Sequence, residues 1–344
     1  MNNSFDKHDS ADKGLNVGDR TPKRQQVKDY FNLNYLLGRV AGAVAGIGNG
    51  VVEVTTKVGC SLNCRFCPQK LFVERYLQKR PWEDTLPDHR AMLMSLDDFK
   101  TCVDKLPPDK VIDFGGFGEP QQNPAFVDMV LYAHSRGHPL MLYSTLVGMT
   151  RESYERIRDI PFKMVQLHIP DSDGNSRFTL SEDYLELVHL VIRDAIEGRF
   201  RINSYSCHGE VHPAIADIVR ESGLFIVSEM HDRAGVVKDA DVVHSSYKKG
   251  RIWCVHDGGR EILLPDGTVV VCCMDFGMRY ALGNLLTQSY EEIMQGEAMR
   301  DLRLRMKSEK YGDCICRHCM VAERGVEHFA KLAAMRLVKL LFSR

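Results

Sequence analysis

The sequence lacks an excess of either charge. Forty-five lysines and arginines stand against 46 aspartates and glutamates, a formal net charge of −1. A chain without a basic surplus gives no electrostatic case for nucleic acid as its partner. It also lacks a secretory signal, since it opens on the polar stretch "MNNSFDKHDSADKG". The expected compartment is therefore the cytoplasm. No apolar run reaches the length of about 20 residues that a bilayer-spanning helix needs. The nearest stretch, "LLGRVAGAVAGIGNGVVEV", is broken by Arg39 and several glycines. There is no internal repeat and no long low-complexity linker. With 344 residues, 44% of them hydrophobic, the chain can bury a real core in roughly two domains, or in one barrel-sized domain with an addition.

What the chain has in plenty is cysteine, 11 residues, most of them clustered. Cys60, Cys64 and Cys67 form one group. Cys272 and Cys273 are adjacent, and Cys314, Cys316 and Cys319 close a third group. Grouped thiols in a long intracellular chain point to metal rather than to disulfides.

Residues 1–49 read as a polar tail followed by a capping helix. From residue 50 onward, β-branched runs alternate with helical patterns. Strands are expected at 51–56, 111–116, 140–145, 163–168, 200–206 and 224–230. Helices are expected near 95–106, 124–136, 150–159, 181–197 and 212–222, with Ser95 and Ser181 as helix starts. This alternation predicts parallel βαβ units. The fold class is α/β: a partial (β/α)6 TIM-like barrel over 50–244, with its active site at the C-terminal strand ends. A small Cys-rich α+β domain follows over 245–322. It opens on a hairpin turning at Pro265-Asp266-Gly267, with a helix over "SYEEIMQGEAMRDLRLRMKS". Residues 323–344 read as a basic amphipathic helix. Such a helix suits peripheral membrane or protein contact, or packing on its own barrel.

Cys60, Cys64 and Cys67 fall just after the first expected strand. Their C-x3-C-x2-C spacing supplies three thiolates and no nearby histidine. A closed zinc site wants four protein ligands, so structural zinc would need a remote fourth. A [4Fe–4S] cluster on three cysteines instead keeps one iron open. "CSLNCRFCP", with Phe66 before the third cysteine, resembles the signature of the radical S-adenosylmethionine (AdoMet) superfamily. "DFGGFGEPQQNP" is similar to that superfamily's glycine-rich segment, with Gly116, Gly118 and Glu119. The resemblance implies that AdoMet binds the open iron, with Glu119 on its ammonium group. It places Ser144 at the end of the third strand, in a segment where relatives carry Thr-Asn-Gly and this chain has Ser144, Thr145 and Leu146. It places His168 at the end of the fourth strand, beside the ribose. It also implies an external electron donor of the flavodoxin or ferredoxin type.

Downstream, Cys254, Cys272, Cys316 and Cys319 can make a closed four-thiolate site, either a second [4Fe–4S] cluster or zinc. Cys273 and Cys314 are spare and could each replace a neighbour. "DGTVVVC", "LGNL" and the terminal C-x2-C resemble the twitch or SPASM extensions of the same superfamily. The resemblance implies an auxiliary cluster used in electron transfer. It implies hydrogen abstraction from a carbohydrate-like or small polyol substrate, ending in oxidation or epimerisation. Two alternatives stand beside this reading: a peptide-modifying relative and a non-catalytic metal-binding scaffold. Fewer than 80 residues precede Cys60, too few for the leader-binding module that peptide-modifying relatives often carry. Cys207, after the fifth expected strand, is the candidate hydrogen donor of an epimerase, or an ordinary buried thiol. His208, Glu210 and His212 are candidate proton-transfer groups or solvated loop residues. Cys102 reads as core.

Overall fold

The computed structural model describes residues 50–78, 92–239, 241–254 and 260–325. The N-terminal tail with its capping helix lies outside these residues. So does nearly all of the C-terminal helix expected over 323–344.

Six parallel strands carry the fold: β1 (Val51–Val54), β2 (Val111–Phe114), β3 (Leu140–Ser144), β4 (Met164–His168), β5 (Ser204–Ser206) and β6 (Ile226–Val227). They neighbour one another in chain order. The helices between them are α1 (Gln69–Gln78), α2 (Leu96–Val103), α3 (Phe126–Ser135), α4 (Arg151–Ile157), α5 (Glu182–Ile196) and α6 (Pro213–Ser222). This is the (β/α)6 order that the sequence pattern predicts. Every residue of β1 and β2 is buried, as strands covered on both faces must be. The helix starts follow their chemistry. Ser95 accepts from the Asp98 backbone N–H at 3.0 Å, and Ser181 from that of Tyr184 at 3.2 Å. Helix α1, directly after the first cysteine group, was not legible in the sequence pattern.

The expected hairpin forms, but it does not stand apart from the barrel. Its strands β8 (Arg260–Leu263) and β9 (Thr268–Val270) pair antiparallel, and β10 (Ala281–Asn284) adds to β9. Strand β8 pairs in parallel with β1, so one nine-stranded sheet runs from β10 through β1 to β6. A buried ion pair reinforces the join: Lys110 Nζ lies 3.1 Å from Glu261 Oε2. The long helix expected after the hairpin is two helices, α7 (Tyr290–Met294) and α8 (Glu297–Lys307), separated at Gly296. Residues 323 and 324, assigned above to the C-terminal helix, belong to a strand. This β11 (Ala322–Arg324) pairs antiparallel with β7 (Ile252–Cys254).

Arg317, between the last two cysteines, is fully buried. Its guanidinium donates to the carbonyls of Lys248 and Gly250, both at 2.8 Å, and of Arg305 at 2.5 Å. One side chain thus ties the terminal cysteine turn to α8 and to the segment before β7. No helix among the described residues is long and apolar enough to cross a membrane.

Candidate active site

The C-terminal ends of the six parallel strands open into a cavity of about 440 Å3, within the usual size for a small-molecule site. Cys60, Cys64 and Cys67 line it from the loop after β1. That loop is pinned on its outer side. Arg65 donates its backbone N–H to the Asn175 carbonyl at 2.9 Å, and its guanidinium pairs with Asp239 at 2.6 Å and Asp241 at 2.5 Å. Burial pushes all three thiols up, Cys64 to about 12. Three thiols in such surroundings become thiolates only when a cation compensates them, which suits metal ligands and not free nucleophiles. Among the described residues no three Cys, His, Asp or Glu side chains converge closely enough to hold a single ion. The ligand sets are therefore defined by the cavities they line.

The loop after β2 brings Glu119 to the same cavity. Its carboxylate accepts from Ser144 Oγ at 2.7 Å, from Thr145 N–H and Oγ1 at 2.6 Å each, and from Gln121 N–H at 3.3 Å. Burial raises its pKa, and these hydrogen bonds work against the rise by favouring the anion. Ser144 thus keeps the hydroxyl that the sequence pointed to, but spends it on holding Glu119, with Thr145 as a second holder. Leu146 takes the left-handed backbone, φ +63°, that glycine would take more easily. Its N–H donates to Ser144 Oγ at 2.9 Å, and Tyr184 Oη donates to the Thr145 carbonyl at 3.0 Å.

The two glycines of this loop are required by space. A Cβ on Gly116, at φ +63°, would lie 2.4 Å from Thr55 Oγ1, and one on Gly118 would lie 2.8 Å from the Lys57 carbonyl. Without side chains there, the loop after β2 can lie directly against the loop that carries the cysteines.

His168 lines the cavity from the end of β4. Its Nε2 is 3.2 Å from Ser176 Oγ, and its ring stands 5.7 Å from Phe66 and 5.1 Å from His208. Burial and the neighbouring His208 push its pKa down to about 3, so it is neutral at pH 7. Phe66 packs edge-on against His208 at 4.1 Å, and His208 also lines the cavity. His212 instead caps α6, its Nδ1 accepting from the Ala214 N–H at 3.2 Å. Glu210 lies outside the cavity lining. Cys207 is fully buried and does not line the cavity; its thiol donates toward the Gly209 carbonyl at 3.4 Å. Cys102 is core as expected, with its thiol pushed up to about 12 by burial.

A second, smaller cavity of about 100 Å3 lies behind the first. Cys254, Cys272, Cys316 and Cys319 all line it, the same four that spacing selected, and Cys273 joins them. Cys314 is buried outside this lining, and the neighbouring Cys316 brings its thiol down to about 7.

Cys273 and Arg260 line both cavities. Arg260 donates through Nε to Glu53 of β1 and through Nη2 to Asp113 Oδ2 of β2 at 3.1 Å. Two buried carboxylates thus share one guanidinium, and desolvation pushes Asp113 up to about 8. Glu53, Asp113, Arg233 and Arg260 were not singled out in the sequence. A carboxylate in the middle of each of two otherwise apolar strands, "VVEV" and "VIDF", was the available signal for the first two.

The cysteine loop, the glycine-rich loop and the strand ends that hold Glu119 meet at one cavity. Residues 254–320 match the SPASM iron–sulfur cluster-binding domain. The fold is similar to that of BtrN in a crystal structure with AdoMet and 2-DOIA. The TM-score is 0.52 at 14% identity, over 80% of this chain and 94% of that one. A curated relative from Pyrococcus furiosus is described as a tungsten-containing aldehyde ferredoxin oxidoreductase cofactor-modifying protein. It is 31% identical over 116 residues, which are 33% of this chain and 28% of that protein.

The donor sets fit AdoMet and iron–sulfur clusters: Cys60, Cys64, Cys67 and the buried Glu119 face a cavity of ligand size, and a cavity lined by five cysteines adjoins it.

Proposed function

We propose that this chain is an enzyme that cleaves AdoMet reductively and takes a hydrogen atom from a carbohydrate-like or small polyol substrate, ending in its oxidation. Cys60, Cys64 and Cys67 would hold a [4Fe–4S] cluster, and Cys254, Cys272, Cys316 and Cys319 a second one. When bound, these groups supply the reducing electron, the carbon radical and an electron acceptor. The observation that carries the reading is that the three thiols and Glu119 reach one cavity from neighbouring strand ends.

The chain's own residues have definable tasks. Glu119, held in place by four donors, would take the ammonium of AdoMet. Neutral His168 and Phe66 would offer a flat polar–aromatic wall beside it. Glu53 lines the cavity wall next to Arg260 and is placed to accept a substrate hydroxyl proton. Arg260 and Cys273 line both cavities, which supports transfer of an electron from substrate to the second site.

Oxidation is preferred over epimerisation because Cys207, the expected hydrogen donor, does not line the cavity. The test is anaerobic reconstitution followed by AdoMet and a strong reductant. Formation of 5′-deoxyadenosine, with about eight irons per chain, supports the reading. Protein that binds iron and sulfide yet forms none would reduce the chain to a metal-binding scaffold.

A further inference from the structure

The cavity contains one cation that the proposed reaction does not use. Arg233 follows β6, in the segment "MHDRAGVV", and lines the cavity beside Cys67, His208 and Cys273. Among the described residues its guanidinium makes no hydrogen bond and no ion pair, and its Nε is buried without a partner. Its neighbour Arg260 is fully engaged by Glu53 and Asp113. Its guanidinium carbon lies 5.7 Å from the centre of the Phe276 ring, stacked on it. Phe276 is itself held against Phe117, at 4.4 Å between ring centres. Stacking leaves the in-plane N–H donors of a guanidinium free.

The backbone is arranged to keep Arg233 where it is. Arg233 and Ala234 both have positive φ, +48° and +55°, and Gly235 follows at +81°. Two successive non-glycine residues in this region are strained and persist only where the surroundings hold them. Buried Asp232 anchors the turn: its carbonyl accepts from the Val237 N–H at 2.9 Å and its Oδ2 from the Ser245 N–H at 2.8 Å. An unpaired arginine on a strained turn, stacked on a ring and directed into a ligand-sized cavity, is short of an anion.

We infer that Arg233 is the anion-recognising residue of the substrate site, and that the substrate is a polyol bearing an oxyanion, a carboxylate or a phosphate. This rests on the reading of the cavity as the reaction chamber. Glu119 faces the cavity from the β2–β3 side as the ammonium-binding group, whereas Arg233 faces it from the end of β6, next to the wall shared with the second cavity. A planar guanidinium pairs with either oxyanion through two parallel hydrogen bonds.

The test uses the reconstituted holoprotein and phenylglyoxal, which modifies accessible arginines. The rate of adduct formation at Arg233 is followed by peptide mass spectrometry, with the exposed Arg151 as internal reference. The probe is inorganic phosphate, added to protein already saturated with AdoMet. The expected result is ready modification of Arg233 in AdoMet-loaded protein and a slowing of about fivefold or more on adding phosphate, with Arg151 unchanged. If AdoMet alone gives the full protection and phosphate adds nothing, the anion is the carboxylate of AdoMet and the inference fails. If neither protects, or if Arg233 resists the reagent in the anion-free protein, the residue is not an open anion site and the inference also fails. Failure of the underlying reading would appear elsewhere, as holoprotein that forms no 5′-deoxyadenosine under strong reductant while Arg233 remains protected by phosphate.

Discussion

The two cysteine-lined cavities differ in what accompanies the thiols. The larger holds the trio Cys60, Cys64 and Cys67, with Glu119, His168, His208 and Arg233 around them and Cys273 in the lining it shares with the smaller. The smaller holds five, and the rest of its lining is apolar apart from Arg260 and Arg303. A set of three thiolates surrounded by polar groups is built to admit a ligand. A set of four or more in an apolar shell is built to close around a metal centre and tune it through dielectric and hydrogen bonds. In the proposed function the first is the site of chemistry and the second the site that takes the electron. Arg260 and Cys273 are the side chains shared between them.

The sharpest way to break this comparison is to remove one ligand from each set. Cys64→Ala should lower iron by about four per chain and bring 5′-deoxyadenosine formation to background. Cys272→Ala should lower iron by a similar amount but leave AdoMet cleavage detectable, while abolishing oxidised product. Equal loss of cleavage in both variants would mean that the two cavities do not divide the work.

A second prediction concerns the fold beneath the smaller cavity. Arg317→Met removes the buried donor to three backbone carbonyls, and should cost about 3–5 kcal/mol, seen as a lower unfolding midpoint in urea. A midpoint within experimental error of the wild type would show that the cysteine turn is held by its metal centre alone.

Next comes the ammonium pocket of the larger cavity. Glu119→Gln should weaken AdoMet binding by about tenfold to a hundredfold, the worth of a charge-assisted contact. Thr145→Val, which removes only one of the donors that hold Glu119, should weaken it by about threefold to tenfold. Equilibrium dialysis of reconstituted protein measures both, and the reverse order would contradict the positioning role of Thr145.

The last prediction concerns the buried ion pair of Arg260 with Asp113. Asp113 has its pKa raised from an ordinary 3.8 to about 8 by burial. A carboxyl raised in the folded state contributes most to stability at low pH. That contribution is lost as pH climbs from about 4 through about 8. Wild-type stability should therefore decline over this window through Asp113, and Asp113→Asn should flatten that part of the curve. Chemical denaturation at a series of pH values checks it, and parallel curves for the two proteins would contradict it.

The barrel strands and most of their helices were legible because β-branched runs and helix caps are local signals. Ser95 and Ser181 cap the helices they were expected to start. The four auxiliary cysteines were legible from spacing and do line one cavity. What the sequence hid was tertiary. Parallel pairing of β8 with β1 is a long-range choice between apolar strands, and nothing in "REIL" announces it. Cys207 was expected at the barrel mouth because it follows a strand, but its side chain turns into the core. Arg233 stands in a loop with no motif, and only its empty hydrogen-bonding surroundings single it out.

The most direct measurement of the division between an open and a closed thiol site is the electron paramagnetic resonance spectrum of the reduced, reconstituted protein with and without AdoMet. The account predicts two cluster signals, of which one shifts on adding AdoMet and is missing from Cys64→Ala, while the other is unmoved and missing from Cys272→Ala. A spectrum that AdoMet leaves unchanged, or an AdoMet-sensitive signal that survives in Cys64→Ala, would contradict it.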